Sequence, residues 1–320
     1  METVETLVAD MSPLQRRDVV NTPSYKGAAL SHAVDGLPWS PSQERLRIIG
    51  VLLNMGANLY QSNRHNHFNA YPLVRAVEKR QRKALTIMIT HTGLDTDDRV
   101  RSLEDALRAA LYEGDLPAFK QLQEAGAAYK SSALFSLFGL ALSKGKLPIA
   151  EYLMEIGYPT NPTALEGFDG NENYVSLAAS SGLLKIIPPL LDCGCDPTKG
   201  KNPLVAWLDR RSTLNNILLD SRILKGDVGK EALEYVVEHG DQYGRLINMR
   251  LLVEAGVDPA PVLGAHAKGK IRLPQALHMS FWVSLLASSN KAKHETNAHI
   301  PHQSDGVAEI SPQEASVHFR

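Results

Sequence analysis

Residues 107–127 read LRAALYEGDLPAFKQLQEAGA, two amphipathic patterns each closed by a glycine. Leu107, Ala110 and Leu111 stand at i, i+3 and i+4 on one helical face, and Gly114 can end that helix in a left-handed turn. Asp115 suits the cap of a second helix with Pro117 in its first turn, and Leu116, Phe119 and Leu122 form its apolar stripe up to Gly126. The spacing predicts two short antiparallel helices. Such helices are marginal alone in water, and the pair leaves a second apolar face bare, so the unit needs neighbours of its own kind.

Those neighbours recur along the chain. Gly56, Gly93, Gly126, Gly157 and Gly194, each placed to end a second helix, stand 37, 33, 31 and 37 residues apart. Gly256 follows 62 residues later, room for two units, with Gly226 in ILKGD between them. First helices begin at Ala28-Ala29-Leu30-Ser31-His32-Ala33, Tyr71-Pro72-Leu73-Val74-Arg75-Ala76 and Asn202-Pro203-Leu204. Second helices end at Leu52-Leu53-Asn54-Met55-Gly56-Ala57 and Leu251-Leu252-Val253-Glu254-Ala255-Gly256.

These segments resemble the ankyrin-repeat family, whose first helix opens T-P-L-H-x-A and whose second closes L-L-x-x-G-A over a period of about 33 residues. No unit here carries the complete T-P-L-H. The first has an insertion around Gly36-Leu37-Pro38-Trp39, and the sixth and seventh are irregular between Asp209 and Asp241. The resemblance spans about residues 25 to 288 and implies an all-α ankyrin-repeat solenoid of stacked helix pairs with hairpin loops. The expected organisation is an N-terminal capping segment at 1–24, about seven repeats over 25–260, a C-terminal capping helix within 261–288 and a disordered tail at 289–320. The apolar segment QALHMSFWVSLLAS suits the end cap, and Ser12-Pro13 suits the start of a capping helix at the other end.

Composition narrows the function. Hydrophobic residues make up 43% of the chain and charged residues 22%, enough for a continuous core. Thirty-four basic and 35 acidic side chains leave a net charge of −1, so no overall field draws in nucleic acid or an anionic membrane. The opening METVETLVADMSPLQRR has acids where a secretory leader needs bases, which predicts an intracellular protein, cytoplasmic or nuclear. Cys193 and Cys195 flank a turn glycine, too close to staple distant loops, and are expected to stay reduced. No phosphate loop, dinucleotide fingerprint, nucleophile elbow or H-E-x-x-H occurs, so an enzyme is not expected, nor a cofactor or metal. His65 and His67 supply two ligands where a closed zinc site needs four.

In place of catalytic residues the resemblance implies a binding surface at the variable ends of the first helices. Carried onto the matched repeats, these positions are Glu78 and Lys79, Tyr112 and Glu113, Ser143 and Lys144, and Ser180 and Ser181. Arg80 and Arg82 join them within EKRQRK, a basic turn between two helices that could grip an acidic peptide or phosphate, serve as part of a nuclear import signal, or simply be solvated. The acidic Asp95-Thr96-Asp97-Asp98 reads as the next connection. Trp39 in the first insertion is either a contact residue or a lid on its own repeat. The long connection from Tyr158 to Asn173, with three acids, is a further candidate. The expected function is that of a monomeric adaptor or inhibitor taking a protein partner in a concave groove, with no direct nucleic acid and no membrane. The alternative is a nuclear regulator working through the basic turn; a ubiquitin-ligase substrate receptor is a more distant reading.

Overall fold

The computed structural model describes residues 10–22, 29–36, 42–59, 71–91, 96–128, 136–158, 173–239 and 242–267. Trp39, His65, His67, Gly93, Phe135, the connection at 159–172, most of the expected C-terminal capping helix and the tail lie outside them. The described residues contain helices and no strand. Residues Met1–Ala232 form one compact unit and Leu233–Arg320 a second.

The first unit opens with α1 (Pro13–Asn21), capped as its sequence suggests: Ser12 accepts from the Gln15 amide and the Gln15 side chain accepts from the Ser12 amide. Helix pairs follow: α2 (Ala29–Asp35) with α3 (Gln43–Asn54), α4 (Pro72–Glu78) with α5 (Arg82–Thr90), and α6 (Thr96–Glu113) with α7 (Leu116–Glu124). Then come α8 (Leu137–Ser143) with α9 (Leu147–Glu155), and α10 (Tyr174–Ser181) with α11 (Ile187–Asp192). Within each pair the two helices pack together, and the pairs stack: α2, α4 and α6 pack in succession, as do α8, α10 and α12 (Pro203–Leu208), while α3, α5, α7 and α9 form the second layer. The core lies between the layers, with Leu30, Leu73, Leu107, Phe138 and Val175 from first helices meeting Ile49, Leu85, Phe119, Ile149 and Leu190 from second helices.

Glycine closes the second helices where expected: Gly56, Gly126, Gly157 and Gly194 all take left-handed backbone, with φ of 85°, 90°, 73° and 82°. Asp115 caps α7 by accepting from the Ala118 amide, as read from sequence. Leu116, read as part of the apolar stripe of α7, is half-buried instead.

One helix is longer than expected. The first helix of the 107–127 unit was to be short, yet α6 runs 18 residues from Thr96. Leu103 and Ala106 continue the buried stripe N-terminal to Leu107, so the helix has packing to support its added turns. Thr96, Asp97 and Asp98, read as a connection, are thus the start of a helix.

Pro188 and Pro189 have the shortening effect their chemistry demands. Residues Leu184–Ile186 form a 3-10 turn, and α11 keeps only six residues with proline in its first turn. After α12 no second α-helix forms before residue 228; the place is held by a 3-10 turn at Asn216–Leu219 that buries Leu218. Gly226 is left-handed there, with φ 59°. Helix α13 (Val228–His239) follows, and the second unit contains α14 (Gln242–Glu254) and α15 (Ala260–Ala267). On α14 the buried side chains are Asn248, Met249, Leu252 and Val253; of Leu246, Leu251 and Leu252, the leucines its sequence offers for the core, only Leu252 is fully buried and the other two are half-buried.

Candidate functional site

The first helices of four consecutive repeats end in one and the same turn. The amide of Gly114 donates to Leu111 O and that of Asp115 to Ala110 O; Gly145 and Lys146, then Gly182 and Leu183, repeat the pattern. In the second repeat Arg80 and Gln81 make the equivalent bonds to Val77 O and Ala76 O. The shared turn puts Glu78, Tyr112, Ser143 and Ser180 in equivalent places just before it, and Lys79, Glu113, Lys144 and Ser181 one residue on. Apart from Trp39 and the connection from Tyr158 to Asn173, the candidates named from sequence therefore belong to a single row or to the basic turn beside it.

Much of this row is engaged with the preceding repeat. The Lys79 ammonium donates to Asp35 O at 2.9 Å and pairs with the Asp35 carboxylate at 3.1 Å. Lys144 sits over the Tyr112 ring, 5.0 Å from its centroid. Ser181 donates to Ser143 O, and Arg211 donates to Ser180 O while stacking on Trp207. In three of these contacts the acceptor is a carbonyl at a helix C-terminus, which is left unpaired within its own helix and carries the negative end of the dipole. Ser143 and Ser180 also bond back to Leu140 O and Leu177 O in their own helices.

The basic turn is largely neutralised by side chains the sequence reading did not connect with it. Arg75 pairs with Asp35 and Glu78, and Arg82 reaches Asp115 at 2.5 Å. Arg82 is 44% exposed while Asp115 is 2% exposed, so this pair has one end in water and one in the core. The missed partners, Asp35 and Asp115, lie 44 and 33 residues from the cations they meet, beyond the reach of any local pattern. Tyr112, 44% exposed, is the one large aromatic presented in the row.

The opposite ends of the first helices are tied as well. Ser136 caps α8 and shares a 2.5 Å hydrogen bond with Tyr174 OH, Ser176 donates to Lys201 O, and the Asn202 amide donates to Val228 O. The later half of the row, on α8 and α10, therefore projects from helices held at both ends.

A second concavity, of about 440 Å³, is lined by Leu191, Cys195, Asp196, Thr198, Arg222 and Lys225. Its charges are mostly committed. Arg222 holds Asp192 and Asp220, and its hydrogen bonds keep the Asp220 carboxyl below its ordinary value; the Thr198 hydroxyl and amide do the same for Asp196. Burial, reinforced by the neighbouring Cys193, pushes the Cys195 thiol up to about 12. We therefore expect iodoacetamide at pH 8 to alkylate exposed Cys193 alone in the native protein and both cysteines in denaturant, as read by intact mass; early double labelling would contradict this burial. Among the described residues no three His, Cys, Asp or Glu side chains gather as a metal site, and no helix is long and apolar enough to cross a membrane.

Searches against family profiles and curated proteins return no match. Among solved structures 55 chains match, one being the human ASB11 ankyrin repeat domain, at 16% identity and a TM-score of 0.45, over 72% of this chain and 99% of that one. In the chain's own geometry, stacked helix pairs with a left-handed residue closing four of the first helices and four of the second give the first unit the all-α ankyrin-repeat fold.

Proposed function

We propose that this chain is a non-enzymatic protein-interaction module, an adaptor or inhibitor inside the cell, which presents the row of first-helix ends to a protein partner. The observation that carries the reading is Tyr112. A large aromatic, 44% exposed and with a cation over its ring, stands mid-row on a helix packed against α4 and α7. Aromatic residues with little conformational freedom are the usual anchors of protein interfaces, and the flanking Ser143, Ser180 and Ser181 add small polar contacts at low entropic cost. Glu78, Glu113 and Lys144 would then set charge preference at the rim. A nuclear role through the basic turn has less to draw on, because Lys79 and Arg82 already hold acids.

The test is affinity capture from cell extract with the full chain, comparing wild type with Tyr112→Ala combined with Lys144→Ala. We expect a partner held by the wild type to be lost, a tenfold or greater fall for an anchor of about 2 kcal/mol, with circular dichroism unchanged. A partner retained by the double variant would remove the row from the interface.

A further inference from the structure

Arg80 is the only non-glycine residue with left-handed backbone among those described, with φ 54°. The three repeats that follow place Gly114, Gly145 and Gly182 at this position, with φ of 72°, 67° and 80° and the same pair of backbone hydrogen bonds. An L side chain is strained there and glycine is not. The fold thus carries an arginine where its own repeats show that glycine suffices. Strain at a single outlier of this kind points to a use for the side chain.

The surroundings indicate the use. Arg75, Lys79 and Arg82 each hold a carboxylate of this chain, Asp35, Glu78 or Asp115. Arg80 and Lys83, three residues apart and both exposed, have no acid partner among the described residues. Every neighbour of their kind is matched, so the turn lacks two carboxylates. The surplus of two cations matches two separate carboxylates, whereas a nucleic-acid backbone presents a longer run of charges than this turn could neutralise.

We propose that Arg80 and Lys83 form a docking point for an acidic peptide segment of the protein partner, each cation taking one carboxylate and the arginine doing so through its planar fork. The proposal rests on the reading of the neighbouring row as a partner surface and specifies the chemistry at one end of it. In this view the left-handed turn holds the guanidinium out of the repeat, where a glycine would leave nothing to bind.

The experiment measures fluorescence anisotropy of labelled octaglutamate against the full chain, beside thermal melting. Arg80→Gly is expected to raise the melting midpoint by roughly 2–4 °C and to weaken octaglutamate binding at least fivefold. Arg80→Lys, which keeps the charge but loses the planar fork, should bind more weakly than wild type and more tightly than Arg80→Gly, and Arg80→Gly with Lys83→Ala should abolish binding. Undiminished binding by Arg80→Gly, a lowered midpoint, or an oligothymidylate bound as tightly as octaglutamate would each overturn the proposal. The two readings fail separately. A captured partner that depends on Tyr112 and Lys144 yet ignores Arg80→Gly refutes the acidic docking point alone. Arg80-dependent octaglutamate binding, with the partner indifferent to Tyr112 and Lys144, supports it and refutes the row.

Discussion

Phe138→Ala should destabilise the protein by about 3–5 kcal/mol, lowering the melting midpoint by roughly 10 °C. Phe138 is fully buried on α8, and its ring meets Tyr174 of the next repeat edge-on, with centroids 5.1 Å apart at 75°. Truncation would empty the space between two first helices, and the room to collapse is small. Gly139 already lies so close that a Cβ there would stand 3.1 Å from the Tyr174 ring. Tyr174 is in turn held by the Ser136 hydrogen bond, so it cannot swing in to fill the void. Phe138→Leu, which keeps most of the volume, should cost less than about 1.5 kcal/mol. Because repeats contact only their neighbours, the damage should stay local. Hydrogen exchange is expected to quicken in α8, α9 and α10 and to remain near wild type in α2 and α3. A melting curve unmoved by Phe138→Ala would contradict the packing described.

Arg82→Ala, a change at a half-exposed position, should cost about 2–3 kcal/mol, far more than an ordinary surface substitution. The reason is its partner. Asp115 is buried and caps α7; its Oδ1 takes both the Ala118 amide and Arg82 while its Oδ2 has no hydrogen-bond partner, so losing Arg82 strands a charge in the core. Asp115→Asn keeps the capping oxygen and gives up the charge, so it should cost less than Asp115→Ala, which loses the cap as well. Combining Arg82→Ala with Asp115→Asn should recover part of the loss, and a double-mutant cycle by urea melting measures the coupling directly. Strict additivity of the two changes would show that the pair contributes nothing. This also bears on binding experiments: an interaction lost with Arg82→Ala has to be corrected for lost folding.

What could be read from sequence was local. Leu107, Gly114, Asp115, Pro117 and Gly126 each act within one turn of chain, and each stands where its intrinsic preference puts it. The beginning of α6 was hidden because Asp95-Thr96-Asp97-Asp98 has the composition of a loop, while the packing that extends the helix comes from α4. At the candidate site the row itself was legible from the repeat register. Its engagement was not: Lys79 with Asp35, Arg82 with Asp115 and Ser181 with Ser143 are contacts between repeats, set by stacking and separated by more than thirty residues. Arg80 was legible only as a charge, because arginine is no turn residue and nothing in its local sequence announces a left-handed backbone.

The backward reach of Lys79, Lys144 and Ser181 onto the turn before them changes what counts as a heritable module in this chain. A helix pair copied or deleted as a block would carry a donor away from its acceptor and present it to a stranger's turn. Duplication is therefore tolerated only where the newcomer brings a matching end, and a substitution at one turn alters which changes the next can accept. Repeats coupled in this way are constrained as linked neighbours, so the array keeps its architecture through matched pairs of turns and not through a uniform consensus.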